Sequence, residues 1–517
     1  APPEAWAAAA ALWRGILDPS PAIEPSTDRR FRAAGWRSPA FDLIRRGYEM
    51  LSTQLTEGVE ALPGLDERQR AQLRFATRGF VEAMSPSNFP LTNPEVIERT
   101  IETRGESLRA GLDHLMADIA KGQLTHADPA AFELGRTIAT TPGKVVARTR
   151  LYELIHYAPT TDAVLATPLV IFPPWINRFY ILDLTPEKSF IRWCVEQGIS
   201  VFMVSWRSAD ASLKDVIWDD YVAAQVEAVD TVRALLDVPS VHTVGYCVAG
   251  TTLAATLALL AAREEDARIA SATFFTAQVD FAAAGELQHF VGDETLAMLD
   301  RLSPDGWFDG RYMAATFNLL RGRDLIWNYV TSNYLLGEDH PSFDLLHWNG
   351  DVTNLPAAWH RSYLTDLYRD NSLVKPGALS VDGIPLDLTR VTTPAYVQAG
   401  REDHIAPAES VWRITEHFAG PLRFVLAGSG HIAGVVNPPA AGKYQHWVND
   451  EPTARALGSL DAFIAGAREV KGSWWPDWLN WLQELDGAMV PVAGARVPGG
   501  GSLAALADAP GDYVRQR

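Results

Sequence analysis

The stretch VHTVGYCVAGTTLAATLALLAA, residues 241–262, decides how the rest of the chain is read. Mostly apolar, β-prone residues run into Gly245-Tyr246-Cys247-Val248-Ala249-Gly250, and an Ala/Leu-rich helical segment follows at once. A strand that turns into a helix across so few residues makes a sharp corner, and Cys247 sits on it. Cysteine is rare here, two residues in 517. By itself it is a small hydrophobe that fits tight places. At such a corner it also reads as a strained elbow that points a nucleophile away from the backbone, with sulfur in place of oxygen.

Composition narrows what surrounds this corner. Apolar residues make up 47% and charged residues 21%, ordinary values for a globular protein, so wholesale disorder is excluded. A chain of 517 residues buries a large core and predicts two to four domain-sized units. The net charge of −18 argues against a general nucleic-acid or anionic-membrane binder, which needs clustered Lys and Arg. Two cysteines make neither a disulfide framework nor a zinc pattern, and no metal is expected. They fit a reducing compartment. Residues 238–262 carry no Asp, Glu, Lys or Arg and are long enough to suggest a membrane span. Pro239, Gly245 and Gly250 break the run and its first half is β-like, so no transmembrane segment is expected. The opening APPEAWAAAAALWRG has no basic run before its alanines, and Glu4 interrupts it; it does not read as a signal peptide, and it lacks an initiating Met.

Residues 1–142 read as mainly helical. GESLRAGLDHLMADIAKG (105–122) sets Leu108, Leu112, Leu115 and Ile119 on one face of an amphipathic helix, after the turn-rich SPSNFPLTNPE (85–95). From residue 143 the pattern changes. KVVARTR and LYELIHY read as adjacent strands. TPLVIFP, VFMVSW, VHTVGY and ASATFFTAQVDF then alternate with helices near 190–197 and 216–236 and after the corner. Strands spaced by helices of this length make a mostly parallel sheet with right-handed crossovers and helices on both faces. The rhythm stops over residues 284–390, a stretch rich in Trp, Tyr, Asn and Phe, and resumes with TPAYVQAGRED (393–403) and PLRFVLAGSGH (421–431). An excursion between strands of one sheet is an inserted cap or lid. Residues 143–485 are therefore expected to form one α/β domain with that insertion. Residues 486–517, including VPGGGSLAALADAPG, are expected to form a mobile tail.

The eight strands follow the order of the α/β-hydrolase fold, and three residues fall where that fold keeps its chemistry. Cys247 lies on the elbow, Asp403 ends AYVQAGRED, and His431 follows RFVLAGSGH. Nucleophile, acid, histidine is the chain order expected of it. A thiol needs an imidazole to take its proton, and a carboxylate to hold that imidazole in the right tautomer. The rivals for the acid are Asp280, Glu402 and Asp351 (in WNGDVTN). His404 is the rival for the histidine, and Cys194, on an apolar helix face, reads as core. In the Gly-x-Cys-x-Gly box the fifth position is Ala249, with Gly250 next. An attacked carbonyl needs two hydrogen-bond donors. One is expected from the Val248 backbone and one from the PPWIN loop, where Pro173 and Pro174 have no N–H and Trp175 or Ile176, preferably Ile176, supplies it.

Beyond these residues, long stretches of the chain resemble the class I polyhydroxyalkanoate (poly-3-hydroxybutyrate) synthases. They include PPWINRFYILDLTPEKSFIRWCVEQGISVFMVSWR, GYCVAGTTLA, DLIWNYVTSNYL, FDLLHWNGDVTNLP, GREDHIAP, SGHIAGVVNPPA and KGSWWPDW. The resemblance runs from about residue 85 to the C-terminus. It implies polymerisation of (R)-3-hydroxyacyl-coenzyme A into polyester with release of coenzyme A, and no separate cofactor. It implies Cys247 as acyl carrier and His431 as base, with Asp403 either orienting that histidine or activating the 3-hydroxyl of the incoming unit. It also implies a homodimer on cytoplasmic polyester granules. Two other readings stay open: a cysteine α/β-hydrolase of the dienelactone-hydrolase type or a thioesterase, and a non-catalytic granule scaffold.

Overall fold

The computed structural model describes residues 26–450 and 454–517. The described chain falls into two compact units, residues 26–128 with Met313–Phe343, and Pro129–Tyr312 with the described part of Asp344–Arg517.

The larger unit is built on one sheet. Its strands are β1 (Gly143–Arg148), β2 (Tyr152–Tyr157), β3 (Leu169–Phe172), β4 (Val201–Trp206), β5 (Val241–Tyr246), β6 (Ile269–Phe275), β7 (Ala395–Gly400), β8 (Leu422–Ala427), β9 (Gln445–Val448), β10 (Arg468–Lys471) and β11 (Ala507–Asp508). Among the described residues they form an eleven-stranded sheet in the order β10-β9-β8-β7-β6-β5-β3-β4-β2-β1-β11. The block from β4 to β8 is parallel throughout, and the flanking strands run antiparallel. All eight strands expected from the sequence are present. Parallel strands covered on both faces are buried at every position, which β3 and β5 are. They read accordingly as unbroken apolar runs.

The sequence predicts a tail over 486–517, but part of it is sheet. Ala507–Asp508 pairs with β1, and the buried Glu153 carboxylate accepts the Asp512 and Tyr513 N–H groups at 2.9 Å each. Asp508 and Asp512 also pair with Lys144 and Arg148. The anchoring groups lie more than 350 residues away in the chain, out of reach of a local pattern. The boundary at 142 shifts too. Residues 129–142 belong to the larger unit, with Ile138 and Ala139 in its core and the Thr141 hydroxyl on Asp183 at 2.5 Å.

The insertion between β6 and β7 is not one body, since Met313–Phe343 groups with the N-terminal helices. There, helix Glu106–Lys121 turns an edge inward that its leucines do not predict. Leu112 and Ile119 are exposed, while Ser107, Gly111 and Asp118 are buried. A Cβ on Gly111 would lie 1.9 Å from the Tyr334 carbonyl oxygen, so only glycine permits that approach. Small-residue packing won over the apolar face.

Candidate active site

Helix Val248–Ala262 starts directly at the end of β5. It carries no charge and is buried along nearly its whole length, because helix Trp218–Leu236 covers it. Trp218 Nε1 donates to Thr252 Oγ1 at 3.0 Å, and Gln225 Nε2 to the Ala249 carbonyl at 3.0 Å. The corner is as tight as the glycines suggest. A Cβ on Gly245 would lie 2.5 Å from Gly250 Cα, and one on Gly250 would lie 2.4 Å from Ala277 Cβ. The close-approach position is therefore Gly250, and Ala249 is simply buried beside it.

Cys247 takes up the turn with φ 53° and ψ −127°. A side chain with a Cβ rarely adopts that conformation, which costs on the order of 1–3 kcal/mol and persists only where the surroundings impose it. Here they do: the Cys247 N–H donates to the Phe275 carbonyl of β6 at 2.9 Å, and its own carbonyl accepts from Gly250 N at 2.9 Å and Thr251 N at 3.1 Å. The residue as a whole is partly exposed. Val248 is the first helical residue, so its N–H has no acceptor within the helix and lies beside the sulfur-bearing residue.

The loops after β7 and β8 bring the other two residues together. Asp403 Oδ1 accepts the backbone N–H groups of Ile405 at 2.8 Å and Ala406 at 2.9 Å. Its Oδ2 receives His431 Nδ1 at 2.8 Å, with the carboxylate fully buried and the imidazole 8% exposed. Burial alone would push the His431 imidazole down. The Asp403 carboxylate and the Cys247 sulfur, each hydrogen-bonded to it, overcome that and raise it to about 10. The imidazole thus binds the carboxylate through one nitrogen and faces the thiol with the other.

Other residues hold this arrangement in place. The Tyr246 hydroxyl, one residue before the cysteine, donates to the His431 carbonyl at 2.9 Å. Trp474 Nε1 donates to the Gly434 carbonyl at 2.7 Å, and Trp475 Nε1 to that of Val435 at 2.9 Å, which fixes the loop beyond His431. The Tyr368 hydroxyl accepts from Gln278 Nε2 at 3.1 Å, and the Gln278 carbonyl accepts from Thr251 Oγ1 at 2.7 Å. Burial, and then the neighbouring Cys247, raise the Tyr368 phenol. These supports escaped the sequence reading, although Tyr246 lies inside the quoted Gly-Tyr-Cys run.

The rivals go elsewhere. Cys194 is buried on helix Phe190–Glu196, and burial pushes its thiol well up. Asp351 meets Arg178 and Tyr180, and Glu402 is exposed. Asp280 binds His417 at 3.1 Å and Asn371 at 2.9 Å. With Glu416 and His417 it forms a group whose donor atoms lie within 4.8 Å of one another. Arg413 stands 3.6 Å from the same carboxylate, so a cation there would face a guanidinium. Ile176 and Trp175 lie buried in the loop after β3. No described helix is long and apolar enough to cross a membrane.

Residues 27–194 match the family described as the N-terminus of poly-beta-hydroxybutyrate polymerase, and residues 168–438 match the alpha/beta hydrolase fold. A poly(3-hydroxyalkanoate) polymerase of Methylorubrum extorquens is 44% identical, across 99% of this chain and 84% of its own length. The poly(3-hydroxyalkanoate) polymerase subunit of Rhizobium meliloti strain 1021 is 44% identical over 96% of this chain and 81% of its own. That of Cupriavidus necator is 42% identical over 98% and 86%. A strained cysteine corner on a mostly parallel sheet, carried by a chain so similar along nearly its full length, places this protein in the poly(3-hydroxyalkanoate) polymerase family, on the α/β-hydrolase fold.

Proposed function

We propose that this enzyme polymerises (R)-3-hydroxyacyl-coenzyme A, with 3-hydroxybutyryl-coenzyme A as the first substrate to test, through an acyl thioester on Cys247. The observation that carries the reading is the buried His431–Asp403 pair at 2.8 Å, with the imidazole raised to about 10 against the Cys247 sulfur. The thiolate is the form that attacks, and His431 is the group placed to exchange the proton of the Cys247 thiol.

Loading begins when the Cys247 sulfur attacks the thioester carbonyl. The resulting oxyanion lies against the Val248 N–H and, in this reading, the Ile176 N–H. The tetrahedral adduct collapses, coenzyme A departs as the thiol with the proton carried by His431, and the acyl group remains on sulfur. Thioester for thioester is nearly balanced. In elongation a 3-hydroxyl gives its proton to His431 and attacks the acyl thioester. An ester forms and the Cys247 thiolate leaves, so the enzyme ends as it began. Asp403 holds His431 in the tautomer that faces the sulfur, and its charge favours the imidazolium at each step. Direct activation of the 3-hydroxyl by Asp403 remains the second role to separate by experiment.

Water competes with the hydroxyl at the second step. The Tyr363 phenol, raised by burial and then by Tyr368 and Cys247, and the Tyr368 phenol, raised by burial and then by Cys247, support a covering role for the insertion that excludes water from the acyl-enzyme. The names of the relatives support the polyester product; the coenzyme A substrate, a homodimer and residence on granules belong to the same proposal and rest on the resemblance of the sequence.

The test is incubation with (R)-3-hydroxybutyryl-coenzyme A, following thiol release and insoluble polymer together. Wild type releases one thiol per unit of polymer, and Cys247→Ser does neither. Release of free hydroxy acid without polymer refutes the synthase reading and makes the protein a thioesterase. Thiol release that survives in Cys247→Ser refutes the acyl-cysteine.

A further inference from the structure

The WNGDVTN motif, set aside as a source of the catalytic acid, lies along the PPWIN loop. Asn177 and Val352 form an antiparallel bridge. Trp348 Nε1 donates to the Arg178 carbonyl at 2.7 Å, and the buried Arg178 guanidinium lies 3.5 Å from Asp351. Thr353 Oγ1 donates to the Trp175 carbonyl at 2.6 Å, with Thr353 and Trp175 each 2% exposed. The Trp175 indole stacks flat on Tyr221, 3.9 Å between centroids and 5° between planes, which holds the side-chain end of the residue.

The Trp175 carbonyl belongs to the same peptide unit as the Ile176 N–H, and that bond is trans. In a trans peptide the C=O and the N–H point in opposite directions from one rigid plane. Fixing the carbonyl on Thr353 therefore fixes the direction of the Ile176 N–H, away from the Thr353 hydroxyl. A flip of this peptide would exchange donor for acceptor and turn a carbonyl oxygen toward whatever the N–H had faced. It would also strip the buried carbonyl of its partner, so the Thr353 hydroxyl opposes it.

We propose that Thr353 is a positioning residue for acyl transfer, holding the Trp175–Ile176 peptide so that its N–H presents to the oxyanion formed at Cys247. The proposal rests on the reading of Ile176 as the second oxyanion donor. The hydroxyl contributes orientation and never touches substrate. Its effect falls on the transition state, where charge has moved to oxygen, rather than on the neutral thioester.

Two perturbations separate this proposal from the reading beneath it. Thr353→Val keeps the branched shape and removes the donor. Replacing Ile176 by its α-hydroxy acid exchanges the backbone N–H for an ester oxygen. Single-turnover acylation by 3-hydroxybutyryl-coenzyme A, with circular dichroism to verify folding, is measured for each and for both together. The ester at 176 is expected to slow acylation about 10²- to 10³-fold, the usual loss for one oxyanion donor. Thr353→Val should lower kcat by about tenfold or more with KM nearly unchanged, Thr353→Ser should restore most of it, and Thr353→Val should add nothing in the ester background. An impaired ester variant with an unimpaired, folded Thr353→Val overturns the positioning role and leaves the donor in place. A full multiplicative loss in the double variant also overturns it, since Thr353 would then act by another route. An ester variant with the wild-type rate overturns the donor assignment and this proposal with it.

Discussion

Replacing Gly250 with alanine tests whether the corner's geometry, and not merely its cysteine, makes the site. The added Cβ would lie 2.4 Å from Ala277 Cβ and 2.7 Å from the Gly245 carbonyl oxygen. Carbon atoms in contact sit about 3.5–4.0 Å apart, so the start of the helix must withdraw by about 1 Å or more. Neither obstacle can swing aside: one is a methyl on the backbone and the other is a backbone oxygen within β5. Overpacking of this kind costs about 1–3 kcal/mol. The larger consequence is positional. Val248 and Cys247 are two and three residues away on the same rigid corner, and a misplacement of about 1 Å at a reacting centre costs about a hundredfold in rate. Gly250→Ala should therefore stay folded, with a stability loss of about 1–3 kcal/mol by urea denaturation. Its kcat/KM for thiol release should fall about a hundredfold. Ala249→Gly is the control. It loses roughly 0.5–1 kcal/mol of helix propensity and moves nothing toward Ala277, so its rate should remain close to wild type. A Gly250→Ala enzyme with the wild-type rate and an unchanged urea midpoint would refute the reasoning.

Cys194→Ala should leave acylation intact and cost about 1 kcal/mol from the void it opens; loss of acylation in a folded variant would show a second working thiol. Asp403→Asn removes the charge that raises His431. If the imidazole returned to its ordinary 6.5, about a quarter would be protonated at pH 7. The protonated fraction of the His431 imidazole at pH 7, followed by NMR, should then fall about fourfold, and an unchanged His431 titration would remove Asp403 from the pair. His431 also ties stability to pH. Its folded value of about 10 lies above the unfolded 6.5, so its contribution is fully present below about pH 6.5 and is lost as pH rises through about 10. The urea midpoint should fall more steeply with alkaline pH in wild type than in His431→Gln; parallel slopes would contradict the raised imidazole.

The parts legible in the sequence share one property: their partners impose a local pattern. β3 and β5 are covered on both faces and so appear as unbroken apolar runs. The corner announces itself because two glycines must bracket it, and Gly245 and Gly250 do. Asp403 and His431 lie on loops at the carboxyl ends of β7 and β8, and the order of strands predicts those loops. What stayed hidden depends on long-range partners. The Gly111 edge of helix Glu106–Lys121 is set by the Tyr334 backbone, and small residues leave no apolar stripe. The glycine-rich text near 500 reads as mobile, yet the strand beyond it is fixed by β1 and by Glu153. Thr353 is one threonine among many until the Trp175 carbonyl appears above it.

Asp280 shows why chain order alone does not identify the acid paired with the histidine that faces Cys247. It too follows a strand of the parallel block and is buried, with a histidine, His417, at 3.1 Å. Its carboxylate is shared among several donors. Asn371 and the Ala282 N–H both bind Oδ1 at 2.9 Å, and Arg413 approaches Oδ2 at 3.6 Å. Those hydrogen bonds, with that of His417, hold Asp280 below the usual carboxylate range despite its burial. A charge already answered by a guanidinium has less to offer an imidazolium. Asp403 is arranged differently: two backbone N–H groups take Oδ1, and Oδ2 is directed at His431. Backbone amides orient a carboxylate without cancelling its charge, so the field at His431 stays strong and the imidazole rises to about 10. Both acids have a histidine, but at Asp403 the charge is kept for it, and on its far side that histidine meets the sulfur of Cys247.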